Sequence, residues 1–251
     1  MQRLSGGHLS TIYAVTLADG RRLIAKMAAS ALEEGAMLMA IRAAGCPAPA
    51  VVTAEGGLLV MERLPDDGLP GPGAWETAGL AIRQLHAARG KTYGWRRDHA
   101  FGKVAIPNAA ASDWPAFWAE RRLLAGISEL PCEIAARLER LAVALPERLP
   151  AAPPPSLLHG DLWAGNLLFG PSGLSGVIDP AAYYGDAEVD LAMLMLFGQP
   201  PADFFEGYGA LEDGWEARRP LYQLWPALVH LRLFGAGYGA MVERLLGSSG
   251  V

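Results

Sequence analysis

The segment His159-Gly160-Asp161-Leu162-Trp163-Ala164-Gly165-Asn166 sets a carboxylate five residues ahead of a carboxamide, and a second carboxylate follows in Val177-Ile178-Asp179-Pro180. A carboxylate within reach of a hydroxyl can orient it and take its proton, which makes Asp161 the candidate base. Asn166 and Asp179 offer hard oxygen ligands, and Mg²⁺ needs only one or two of these beside phosphate oxygens and water. Each residue alone is ordinary turn chemistry. Together they point to phosphoryl transfer from a nucleotide to a hydroxyl.

Such chemistry also needs a cation on the phosphates. Lys26 ends the run Leu23-Ile24-Ala25-Lys26, where a strand lysine could hold them, and a carboxylate from a following helix would fix it. Glu34 is the better candidate; Glu33 is the alternative, since it has a capping role open to it. Ser5-Gly6-Gly7-His8 precedes the first strand, and Gly6 and Gly7 would let backbone N–H groups approach phosphates. Val60-Met61-Glu62-Arg63-Leu64 leads into a linker whose backbone at Met61, Glu62 and Leu64 could meet adenine. Asp186, Glu188 and Asp190 could face a cationic substrate. Asp190 is better explained as bracing its own helix, and the other two stay open. His86, His99 and His230 are dispersed and suggest no metal cluster. Leu191 to Phe197 reads as a core helix.

These residues need elements to hold them. Thr11–Leu17 and Arg22–Met27 are rich in β-formers around Asp19-Gly20, a hairpin signal. Ser30 to Ala44 reads as a helix, with Ser30 and Glu33 as a capping box, stopped by Gly45, Pro47 and Pro49. Val51–Thr53 and Leu58–Glu62 read as strands. Pro65 to Gly73 is rich in turn residues and marks a boundary. Helical stripes follow at Trp75–Ala88, Trp114–Gly126 (opened by Asp113 and Pro115) and Cys132–Leu145. Pro146–Pro155 is a stiff connector, and Leu167–Phe169 and Gly176–Ile178 read as paired short strands. The expectation is an α+β, protein-kinase-like two-lobed fold. Residues 1–64 form a small β-rich nucleotide-binding lobe, and 65–251 form a larger, mainly α-helical catalytic and substrate lobe.

The chain has 251 residues, a net charge of −5 and no Lys/Arg-rich run, which argues against a nucleic-acid surface. Cys46 and Cys132 form no metal or redox pattern. No apolar run reaches the length of a membrane span, and Met1–Ser10 has no signal-peptide pattern. The expectation is a cytoplasmic protein without membrane or nucleic-acid partners.

The chain resembles the fructosamine kinase (ketosamine 3-kinase) family, a branch of the aminoglycoside-phosphotransferase-like kinases. The resemblance rests on Leu4-Ser5-Gly6-Gly7, His159-Gly160-Asp161-Leu162-Trp163 with Asn166, and Ile178-Asp179-Pro180. It continues in Tyr184-Gly185-Asp186 with Glu188-Val189-Asp190-Leu191-Ala192, and in Tyr93-Gly94, Phe101-Gly102, Asn108, Asp113-Trp114 and Arg121-Arg122-Leu123. It implies an ATP- and Mg²⁺-dependent kinase acting on the 3-hydroxyl of a ketosamine such as a ribulosamine or fructosamine. The product decomposes and frees the amine, which is deglycation. Implied partners are ketoamine small molecules or glycated protein lysines, with the protein a monomer or weak dimer. By the same resemblance Asp161 is the base and Asn166 and Asp179 bind metal. Lys26 and Glu34 hold phosphates, Gly6 and Gly7 belong to the nucleotide loop, and Trp163 and Asp186 lie near the sugar or its amine. The sequence departs from the family at His8, usually small or acidic, and at Ser10, often Asn. The loop lacks the Cys that links dimers in some relatives, and relatives carry a longer segment ahead of Ser5. The alternatives are a kinase for another small hydroxylated amine, aminoglycoside or choline-like, and a non-catalytic ATP-binding scaffold.

Overall fold

The structure is a computed structural model and describes residues 1–4 and 10–251. In chain order its first elements are β1 (Gln2–Leu4), β2 (Thr11–Thr16), β3 (Arg22–Met27), α1 (Ala31–Ala43), β4 (Val51–Glu55), β5 (Leu58–Glu62) and α2 (Ala74–Ala87). Next come β6 (His99–Phe101), β7 (Val104–Ile106), α3 (Trp114–Trp118), α4 (Cys132–Ala144), β8 (Ser156–Leu158), β9 (Leu167–Gly170) and β10 (Gly173–Val177). The last are β11 (Tyr183–Gly185), α5 (Glu188–Leu194), α6 (Ala202–Tyr208), α7 (Trp215–Phe234) and α8 (Gly239–Ser248). Contacts group the chain into two units. One comprises Met1–Ala88, Asp161–Ala182 and Gln199–Ala210; the other comprises Arg89–Gly160, Tyr183–Gly198 and Leu211–Val251. Among the described residues no helix is long and apolar enough to cross a membrane.

The first unit is built on an antiparallel sheet in the order β1-β2-β3-β5-β4. The β2–β3 turn forms where Asp19-Gly20 predicts it. Gly20 takes a φ of 85° that other residues rarely adopt, and Asp19 Oδ1 accepts the Arg21 N–H. The register sets Lys26 opposite Ile12 on one side and Leu59 on the other. Helix α1 lies against β4 and β5, with Met37, Leu38 and Ile41 fully buried. Burying each such side chain contributes about 1.5–3 kcal/mol. Gly45 ends α1 as expected, at φ 87°. Its N–H reaches Arg42 C=O and the Cys46 N–H reaches Ile41 C=O, which satisfies two of the last-turn carbonyls. The capping box does not form. Ser30 sits at φ −85°, ψ 4°, outside the extended region a capping hydroxyl needs, and makes no side-chain cap bond.

Helices α2 and α6 cross with almost no space between backbones. A Cβ on Gly79 would lie 2.0 Å from Phe204 O, and one on Gly207 would lie 2.1 Å from Glu76 O. Strands β9 and β10 pair antiparallel around Pro171-Ser172. They are tied to α2 by the Leu174 N–H on Thr77 Oγ1 and to the linker by the Asp67 N–H on Phe169 O.

The second unit is mainly helical and packs around Trp114, Phe117, Trp118, Tyr183 and Tyr222. Asp113 caps α3 as its sequence position predicts, accepting the Ala116 N–H at 2.7 Å. The expected single helix from Trp114 to Gly126 is instead α3 followed by a π-helical turn at Ala119–Leu123, with the Leu124 N–H on Ala119 O. Arg122, in that turn, is fully buried. It donates to Pro107 O, Arg121 O and Asn108 Oδ1, and its guanidinium lies 4.1 Å from the Tyr183 ring centroid. The β6–β7 hairpin and the β8–β11 pair were not anticipated. The core helix expected over Leu191–Phe197 extends only to Leu194, in α5, where its residues are buried; Met195 is buried beyond the helix end and Phe197 is exposed.

Substituting Gly79→Ala should destabilise the protein by roughly 1–3 kcal/mol in denaturant unfolding, because the added methyl meets a carbonyl that cannot move away. Gly247→Ala, where nothing lies within 4 Å, should change stability by less than about 1 kcal/mol and in the favourable direction.

Candidate active site

Lys26 is the centre of the site. Its Nζ lies 2.7 Å from Glu34 Oε1 and 2.9 Å from Asp179 Oδ1. Lys26 is only 7% exposed and Glu34 3%. Lys26 is the next-to-last residue of β3, and the first turn of α1 directs Glu34 at it. Burial works against the ammonium, but Glu34 and Asp179 outweigh it and hold the Lys26 pKa above its ordinary value. Burial also pushes Glu34 up, with Lys26 pulling it back down. Of the two glutamates the sequence offered, Glu34 is the partner.

Asp179 has φ 54°, the only non-glycine in the left-handed region among the described residues. A conformation of this kind costs of order 1–3 kcal/mol and persists only when neighbours enforce it. Here the preceding residues are pinned: the Val177 N–H donates to Pro47 O and the Ile178 N–H to Asn166 O. The second of these bonds ties the Asp179 segment, just after β10, to the Asp161 loop. Within that loop Asn166 Nδ2 donates to Asp161 O at 2.8 Å and to Asp161 Oδ2 at 3.2 Å. With its donor end turned on Asp161, the amide's oxygen is the atom it can present to a cation. Asp161 is half-buried. Trp163 is 41% exposed, and its ring lies over Gly165, where a Cβ would approach within 2.2 Å.

Asp190 does not merely brace its own helix. It is fully buried, and its two oxygens accept the backbone N–H groups of His159 and Gly160 at 2.6 and 2.9 Å. A carboxylate thus fixes the two residues ahead of Asp161, where Gly160 takes a φ of 81°. Asp186, read as a substrate contact, is buried. Its Oδ2 accepts the Tyr222 hydroxyl at 2.6 Å, and its Oδ1 accepts the Glu188 N–H at 3.1 Å. Glu188 pairs with Arg218.

A cavity of about 380 Å³ lies beside Lys26. Ile12 and Ile24 line it, as do Leu168, Ile178 and Asp179, and the linker residues Met61, Glu62 and Leu64 border it. Gly6 and Gly7 lie outside the described residues. The structure therefore brings Lys26, Glu34, Asp161, Asn166, Asp179 and the linker residues into one unit, and it places Asp186 in the other. Sequence reasoning missed the role of Asp190 and the presence of Arg22 on the cavity wall. The period-2 pattern of β3 carries the second signal, since Arg22, Ile24 and Lys26 alternate with Leu23 and Ala25.

A family model described as fructosamine kinase matches residues 3–249. The chain belongs to the fructosamine kinase family. A Synechocystis protein named a probable ketoamine kinase is 38% identical over 186 residues, which are 69% of this chain and 61% of that protein. The match thus spans less than two thirds of the relative's length. A crystal structure from Thermobifida fusca, assigned as a fructosamine-3-kinase, aligns at 33% identity with a TM-score of 0.90, covering 98% of this chain and 92% of that one. The amicoumacin kinase hAmiN, solved with AMP-PNP, Ca²⁺ and Ami, shares the fold at a TM-score of 0.63 and 15% identity, over 99% of this chain and 87% of its own. The fold is accordingly the α+β fold of protein-kinase-like phosphotransferases, and the fructosamine kinase family is a family of such enzymes.

In this fructosamine kinase family member the Asp186 carboxyl is pushed up to about 6, by burial first and by Glu188 second, against its hydrogen bonds and Arg218. Between its ordinary value near 3.8 and about 6, the folded protein holds a proton that the unfolded chain has released. Stability from this group therefore falls as pH rises through that window and is level above it. Urea unfolding from pH 4 to 8 should show the wild type losing stability relative to Asp186→Asn across that window, with a constant difference beyond it.

Proposed function

We propose that this protein transfers the γ-phosphoryl group of ATP, with Mg²⁺, to the 3-hydroxyl of a ketosamine such as a ribulosamine or fructosamine. The observation that supports it most is the Lys26 ammonium held between Glu34 and Asp179 at the edge of a cavity of nucleotide dimensions. Residues 1–64 serve as the nucleotide-binding lobe and 65–251 as the catalytic and substrate lobe. Lys26 holds the phosphates and Glu34 keeps it in place. The backbone at Met61, Glu62 and Leu64 meets the base, and Gly6 and Gly7 cover the phosphates.

The donor set suits Mg²⁺. Asp179 has one oxygen on Lys26 and a second to offer, and Asn166 has its amide oxygen. When bound, the ion would offset charge on the phosphate oxygens. Asp161 orients the acceptor hydroxyl and receives its proton as the new O–P bond forms and the bond to the ADP oxygen breaks. Asn166 steadies Asp161 by its amide hydrogen bonds. Trp163, exposed beside the base, faces the sugar or its amine. The acceptors are free ketoamines or glycated protein lysines in the cytoplasm, and the enzyme works as a monomer or weak dimer.

ADP release with Mg²⁺-ATP should be measured on ribulose-lysine, erythrulose-lysine, fructose-lysine, kanamycin and choline. Turnover is expected on a ketoamine, and Asp161→Asn should lower it by at least roughly 10²-fold. Turnover confined to kanamycin or choline would reassign the acceptor, and nucleotide binding without any turnover would point to a scaffold.

A further inference from the structure

We infer that Arg22 is a nucleobase-contacting residue that closes the far end of the nucleotide cavity with a flat cationic face. This rests on the nucleotide reading of the cavity given above. Arg22, Ile24 and Lys26 occupy one face of β3 and all three line the cavity. At a strand rise of about 3.3 Å per residue, the guanidinium stem leaves the strand about 13 Å from Lys26. One strand thus sets a cation at each end of the same space, with Ile24 between them.

The two cations are not equivalent. Lys26 is buried and held by two carboxylates. Arg22 is exposed, and its guanidinium makes no hydrogen bond or ion pair among the described residues. Its neighbour Arg21, by contrast, is paired with Asp19 at 2.8 Å. Arg63 stands beside Arg22, its N–H on Arg22 O, Glu62 lies opposite Leu23 across the sheet, and Asp66 and Asp67 also line the cavity. The phosphates belong at the Lys26 end, where Asp179 and Asn166 have oxygens to offer a metal ion. What suits the Arg22 end is an uncharged flat ring between the apolar walls. A guanidinium is planar and weakly hydrated and stacks on such π faces.

The test separates base from phosphate. Calorimetric binding of ADP and of inorganic tripolyphosphate, both with Mg²⁺, should be compared for the wild type, Arg22→Met and Arg21→Met. Arg22→Met should weaken ADP about three- to tenfold and leave tripolyphosphate within about twofold, and Arg21→Met should change neither. Unchanged ADP binding in Arg22→Met would make Arg22 a solvated surface residue and overturn the inference. Equal weakening of both ligands would make it a general electrostatic attractor and overturn it too. A wild type that binds neither ligand would instead remove the nucleotide reading on which the inference stands.

Discussion

The structure of this site depends on one buried ammonium. Lys26 cannot stay charged at 7% exposure without compensation, because transferring an isolated charge out of water costs far more than the stability of a domain. Two carboxylates from distant points of the chain supply that compensation, Glu34 from α1 and Asp179 from the segment after β10. The demand runs both ways. Each carboxylate is anchored by the lysine, so the sheet, the helix and the Asp179 segment are tied at one point. The β2–β3 and β3–β5 registers and the close packing of Gly35 on Ala54 set where that point falls.

The second constraint is backbone conformation. Asp179 and Gly160 both occupy the left-handed region, and each is held by hydrogen bonds from its surroundings. Asp179 is preceded by N–H groups fixed on Pro47 and Asn166, and Gly160 has its own N–H on Asp190. The strain falls on Asp179, a candidate metal residue, while Gly160, ahead of the candidate base, adopts the same region without steric cost. Buried carboxylates that accept backbone N–H groups, such as Asp190, give the chain its shape here.

Much of this was legible in the sequence because the signals were local. Asp19-Gly20 is a turn by its own chemistry, Gly45 followed by Pro47 ends a helix wherever it occurs, and the offsets among Asp161, Asn166 and Asp179 survive as neighbours in space. What was not legible depended on tertiary context. Ser30 and Glu33 have the right types for a capping box, but the turn that enters α1 leaves Ser30 out of the extended conformation the cap requires. The π turn after α3 contains Arg122, and no hydrophobic periodicity announces a guanidinium that will be buried among Phe117, Tyr183 and Trp225. Asp186 offered a carboxylate beside the catalytic segment. Only the structure shows that Tyr222 and the Glu188 backbone already occupy it.

The central claim is that Glu34 matters because it holds Lys26 where phosphate is transferred. The most direct measurement is single-turnover phosphoryl transfer by Glu34→Gln from Mg²⁺-ATP to the best ketoamine acceptor, with ADP affinity and unfolding followed alongside. The account predicts a folded variant that still binds ADP and transfers roughly 10²-fold more slowly, as expected when a positioning contact is lost. A folded Glu34→Gln protein that transfers at the wild-type rate would contradict it.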